Sequence, residues 1–213
     1  MIRHHFPDDT LMAYAAGQLP EAFSLAVAVH LSLCDRCRAT AESYDALGGA
    51  LLEDSEAVAV SDDLLARTVA GLDAQSEPSA DRPAPDPVLP RPLQDYVGGR
   101  LADVKWRSVG FGVRQAILPM TDRSATARLL YIPAGTAVPD HSHHGTEVTL
   151  VLQGSFTDAD GTFARGDVEV ATDETDHRPV ADISQDCICL AVTDAPLRFK
   201  GWLPRIAQPF LRI

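Results

Sequence analysis

Four side chains in the second half of the chain, His141, His143, Glu147 and His177, have the types and spacing to hold a metal ion. On an extended strand, residues two apart project to the same side, so His141 and His143 can present two imidazoles to one ion. Glu147, beyond the turn at Gly145, can return a carboxylate from the start of the next strand, and His177 can close the set from a later strand or loop. His144 points to the opposite face if the strand is regular. Three nitrogens and one carboxylate oxygen suit zinc, iron, manganese, nickel or copper. Such an ion is catalytic where a coordination position stays open to water or substrate, and closed where tetrahedral zinc takes all four ligands.

A second group lies near the start. His30, Cys34 and Cys37 form His-x3-Cys-x2-Cys. With a helix ending near Leu33, the histidine and the first cysteine lie about one turn apart and the second cysteine returns on the following turn. That spacing can deliver three zinc ligands, and His5 or the neighbouring His4 can supply a fourth. The remaining cysteines, Cys187 and Cys189, are two apart and share a face of one strand. They read as small core residues, or as a redox pair if they face the metal pocket. Two close pairs do not make the disulfide framework of a secreted protein.

The elements that must position these residues change character along the chain. Leu11, Met12, Ala15 and Leu19 follow Asp8 and Asp9 at helical spacing, and Phe23, Val27, Leu31 and Cys34 stripe a second helix, with a break near residues 17–20. A third helix is expected from about Asp35, its apolar face carrying Cys37, Ala41, Tyr44, Gly48 and Leu51. A fourth carries Leu64, Leu65, Thr68, Val69 and Leu72; it stands apart from the compact first three, so its stripe suits another surface. Residues 74–92 hold prolines at 78, 83, 85, 87, 90 and 92 and read as an extended linker. Beyond it the period becomes that of strands, at 113–118, 127–132, 148–153, 168–171 and 187–192, with glycine turns between, as in a barrel or sandwich.

Charge narrows the partners. The formal net charge is -12, which disfavours direct contact with nucleic acid or an anionic membrane. Residues 1–73 hold 12 acidic against 4 basic side chains, unlike a DNA-binding zinc module and suited to a basic protein surface. No apolar stretch reaches the ~18 residues of a membrane span, and no signal-peptide pattern follows Met1. The expectation is a soluble, cytoplasmic protein.

The C-terminal pattern Gly135, His141, His143, Glu147, Gly154 resembles the first cupin motif at every fixed position. The second motif is weaker: Ala164 stands where proline is usual, the distance from Gly166 to His177 is long, and Ala181 replaces a final asparagine. The N-terminal motif, with its LMAYAAGQLPEA and VAVHLSLCDRC context, resembles the zinc-binding anti-sigma family, and the two together resemble ChrR-like anti-sigma factors over nearly the full length. The resemblance implies two domains, an all-α zinc-binding helical bundle at 1–75 and an all-β cupin barrel at 93–213, joined by a proline-rich linker at 76–92. It implies zinc on His5, His30, Cys34 and Cys37; the ligand set of the cupin site admits zinc or another divalent transition metal, and the position of Cys187 and Cys189 makes them a redox candidate. The resemblance further implies a protein that binds an extracytoplasmic-function-type sigma factor through its helices and releases it under singlet-oxygen or peroxide stress, the cupin taking a small-molecule or oxidant signal. The alternative is a cupin metalloenzyme, dioxygenase-like, with an accessory helical zinc domain.

Overall fold

The computed structural model describes residues 1–73, 84–138, 141–142, 145–172, 176–195 and 198–199, with 73, 141–142, 176–177 and 198–199 described by backbone alone. The first half is helical: α1 (Asp8–Ala15), α2 (Glu21–Leu31), α3 (Asp35–Glu53) and α4 (Leu64–Asp73). Pro7 and Pro20 stand immediately before α1 and α2, with ψ near 150°, an extended geometry from which a helix can start. Asp8, Asp9 and Glu21 occupy first turns, where the helix dipole favours negative charge.

A further short helix, α5 (Arg91–Val97), and a 3-10 turn at Leu101–Asp103 precede the strands. Most of the proline-rich stretch, residues 74–83, lies outside the described residues. Its last part packs: Val88 and Leu89 are buried, because the Asp86 carboxylate turns the chain by accepting the backbone N–H groups of Val88, Leu89 and Leu101 at 2.8 to 3.0 Å.

Among the described residues twelve strands follow: β1 (Arg107–Gly110), β2 (Val113–Ile117), β3 (Thr126–Ile132), β4 (His141–Ser142), β5 (Glu147–Gln153), β6 (Ser155–Thr157), β7 (Thr162–Ala164), β8 (Val168–Ala171), β9 (Asp176–His177), β10 (Val180–Ala181), β11 (Cys187–Thr193) and β12 (Arg198–Phe199). A six-stranded antiparallel sheet has the order β1-β2-β3-β11-β5-β8, and two three-stranded sheets have the orders β10-β6-β7 and β12-β4-β9. Gly154 makes the tight passage from β5 to β6. Its φ is +71°, and a Cβ there would stand 2.7 Å from the Asp186 carbonyl oxygen, so only glycine fits without strain.

The six-stranded sheet is covered on both faces, which explains why β11 is buried at every residue. Register places Leu190 opposite Leu129 and Leu150, and Cys189 opposite Leu130 and Val151. Side chains alternate across a strand. The leucine face joins Leu25, Ala26, Val29 and Leu93 of the helices in one core, and the cysteine face packs with Phe156, Phe163 and Ala181 in another.

Helix α2 touches α1, α3 and α5 as well as β3, β5 and β11. It is accordingly apolar almost all round, with Ala22, Leu25, Ala26, Val27, Val29 and His30 buried, as expected of a helix enclosed on several sides. In contrast, α3 buries only Cys37 and Ala41. Leu47, Leu51 and Leu52 at its far end, and Leu65, Val69 and Leu72 of α4, are exposed.

Candidate metal centre

His5, His30, Cys34 and Cys37 converge from four backbone settings: the extended N-terminal segment, the last turn of α2, the turn that follows it, and the first turn of α3. Their donor atoms all lie within 4.8 Å of one another, and His5 Nδ1 is 3.4 Å from both the Cys34 and the Cys37 Sγ. Tetrahedral zinc with Zn–S near 2.3 Å and Zn–N near 2.0–2.1 Å separates sulfur from nitrogen by roughly 3.5 Å. The donor spacing therefore fits such an ion.

A buried polar atom supports the same fit. His30 is fully buried, and its Nε2 has no hydrogen-bond partner among the described residues. Its Nδ1 lies 2.9 Å from the Gly166 carbonyl oxygen, which can only accept, so the proton sits on Nδ1 and Nε2 keeps its lone pair. That is how a histidine is prepared to ligate a metal. The sequence left His4 and His5 as alternatives, and the cluster contains His5. His4 instead packs its ring on Phe163, with centroids 4.3 Å apart.

Burial sets the electrostatics. It lowers the His30 pKa to about 4 and lowers that of His5, where the Arg36 charge adds to it. The Cys37 thiol is pushed up to about 11, by burial first and by neighbouring Cys34 second. In the metal-free cluster the imidazoles are thus neutral and the Cys37 thiol protonated; a bound dication reverses the latter and draws out thiolates. A cavity of about 570 Å³ lies beside the cluster, and His5, Cys34, Arg36 and Arg165 are among its lining residues.

Of the second predicted group, His141 and His177 are direct cross-strand partners in the β4–β9 pair, and Phe199 of β12 pairs with His141 on the other side. His143 lies outside the described residues, as do the side chains of His141 and His177. Glu147 opens β5, is buried, and accepts a hydrogen bond from the Thr149 hydroxyl at 3.1 Å. On the same face Cys187 and Cys189 bring their sulfurs to 3.5 Å. The Cys189 pKa is raised well above its ordinary value, by the hydrogen bond with Cys187 first and by burial second.

Sequence reasoning missed the turn at Gly166 and Asp167, between β7 and β8. The Asp167 carboxylate accepts the backbone N–H groups of Arg3 at 2.6 Å and His4 at 2.9 Å through one oxygen, and that of Ala164 at 2.9 Å through the other. The Val168 N–H in turn donates to the His4 carbonyl at 3.2 Å. No local pattern announces the contacts to Arg3, His4 and His30, because they join residues more than 130 positions apart.

None of the helices among the described residues is long and apolar enough to cross a membrane. Residues 95–196 match the family described as the ChrR cupin-like domain. The anti-sigma-E factor ChrR of Cereibacter sphaeroides is 58% identical over 212 residues, spanning 100% of this chain and 99% of that protein. A crystal structure of Rhodobacter sphaeroides SigE in complex with the anti-sigma ChrR contains a chain that matches with a TM-score of 0.81 at 55% identity, over 91% of this chain and 99% of that one. A helical segment bearing a four-residue His/Cys group, followed by a cupin-type β domain and aligned end to end with such a relative, means that this chain belongs to the ChrR family of anti-sigma factors.

Proposed function

We propose that this protein is an anti-sigma factor whose helical segment holds an extracytoplasmic-function-type sigma factor away from RNA polymerase. One observation carries the reading: Leu47, Leu51 and Leu52 of α3 and Leu65, Val69 and Leu72 of α4 are exposed. Leu47 and Leu51 are four positions apart, as are Leu65 and Val69, so each helix carries an exposed apolar stripe, and amphipathic helices bind by laying such a stripe in a partner's groove. The relative of 55% identity that was crystallised with SigE points to the class of partner.

In this reading residues 1–75 form the sigma-binding domain, residues 76–92 a linker, and residues 93–213 a cupin domain whose sheets close as a barrel. Zinc on His5, His30, Cys34 and Cys37 is structural, supplying folding energy to a small helical unit. His141, His143, Glu147 and His177 hold zinc or another divalent transition metal, with Cys187 and Cys189 as redox groups beside it. The cupin domain governs release of the sigma factor under singlet-oxygen or peroxide stress, and the protein works in the cytoplasm.

Co-expression and co-purification of the chain with a sigma factor of this class tests the reading. A stoichiometric complex that blocks transcription by the sigma-containing polymerase is the expected result. Absence of any complex, with the zinc-loaded chain folded, overturns it.

A further inference from the structure

We infer that the β7–β8 turn, Gly166–Asp167, is a positioning element of the N-terminal metal centre, so that metal affinity and docking of the helical segment on the β domain are linked. The inference rests on the proposed assignment of a metal to His5, His30, Cys34 and Cys37 and names what regulates that site.

Three sets of contacts carry it. The Gly166 carbonyl accepts the His30 Nδ1–H at 2.9 Å and thereby aims Nε2 at the cluster. The Asp167 carboxylate, only 2% exposed, accepts the backbone N–H groups of Arg3 and His4 at 2.6 and 2.9 Å, and the Val168 N–H donates to the His4 carbonyl. Those bonds hold the segment immediately before His5. Shape completes the dock: Gly166 has φ +89°, and a Cβ there would stand 2.6 Å from Ile2 Cδ1, so the N-terminal segment lies directly against the turn.

Two of the four donors, His5 and His30, are therefore oriented by the β domain, and the two cysteines by the helices' own turns. Groups that orient a metal ligand typically change metal affinity by 10–100-fold when removed. Linkage is reciprocal: whatever loosens the turn weakens the metal, and loss of the metal loosens the turn.

The test uses the full-length protein loaded with zinc. Zinc affinity is measured by chelator competition for wild type, Asp167→Ala and a control, Asp182→Ala, whose carboxylate accepts the Ser184 N–H and hydroxyl in its own turn. Asp167→Ala is expected to weaken zinc by roughly 10–100-fold, with the control within twofold of wild type. Should Asp167→Ala not fold, hydrogen exchange on wild type decides. Stripping zinc is then expected to speed exchange of the Arg3, His4 and Val168 amides while the β3 and β11 amides keep their protection. Unchanged affinity in folded Asp167→Ala, or exchange at Val168 indifferent to zinc, overturns the inference. A wild-type chain that takes no zinc overturns instead the metal assignment beneath it, and sigma binding enters neither measurement.

Discussion

The carboxylate of Glu21 reaches across 100 positions of sequence to Thr121, accepting both its backbone N–H and its hydroxyl at 2.6 Å through one oxygen. The same oxygen takes the Asp122 N–H at 2.9 Å, and the other oxygen takes the Tyr96 hydroxyl at 3.0 Å. One side chain in the first turn of α2 thus ties that helix to α5 and to the connection between β2 and β3.

This tie is pH-dependent. The hydroxyl of Thr121, then the Asp122 amide, hold the Glu21 carboxyl down to about 2, against an ordinary 4.5. A depressed folded-state value means the unfolded chain takes the proton first, so the contribution is whole above about pH 4.5 and is lost as pH falls toward 2. Thermal melts of wild type and Glu21→Gln should differ by a constant amount above pH 5 and converge near pH 2. A gap that widens on acidification contradicts the assignment.

Replacing Cys37 with serine removes a sulfur that is 3.4 Å from His5 Nδ1. Structural zinc contributes ~10–16 kcal/mol over four ligands, so one ligand is worth on the order of 3 kcal/mol, about 100-fold in affinity. Cys37→Ser should purify with substoichiometric zinc and lose sigma binding together with it. Tight sigma binding by a zinc-free variant would separate the two and sink the structural role.

Leu65 and Leu72 on α4 are exposed, at 76% and 64%. Exposed substitutions away from special features change stability by about 0.5 kcal/mol or less, whereas truncating an interface anchor costs about 1–2 kcal/mol or more. Leu65→Asp with Leu72→Asp should leave the melting temperature within a degree or two and weaken sigma binding tenfold or more, read by titration against labelled sigma factor. Unaltered binding would remove α4 from the interface.

Leu190 is fully buried in the core that α2 and α5 share with the sheet. Leu190→Ala should cost roughly 2–5 kcal/mol. Because helices and strands use that core in common, the melting transitions read by the helical signal in the far ultraviolet and by tryptophan fluorescence should shift down together. A drop in only one of them would mean the two parts melt apart.

Much of this architecture is legible in the sequence because it is periodic. The stripes Leu11–Leu19 and Phe23–Cys34 became α1 and α2, broken at the Gly17–Pro20 step, and the five expected strands are β2, β3, β5, β8 and β11 to within a residue. The His-x3-Cys-x2-Cys spacing likewise foretold three of the four clustered donors. What remained invisible is long-range. The choice of His5 over His4 depends on Asp167 and Phe163, which hold the neighbouring residue, and neither leaves a mark near position 5. The burial of Val88 and Leu89 depended on Asp86 bending a proline-rich run that composition alone reads as extended. The two-residue strands β4, β9, β10 and β12 are too short for any period to register.

Strand β11 separates the two interiors by the thickness of a single backbone. Cys187 and Cys189 look one way, toward Phe156 and Phe163, while Ile188 and Leu190 look the other, into the core that α2 fills. Successive residues on a strand are only ~3.3 Å apart along the chain. A covalent change at either thiol, each enclosed with no room to swing outward, must therefore be absorbed by this strand or its neighbours. The helix carrying His30 rests directly against three of them.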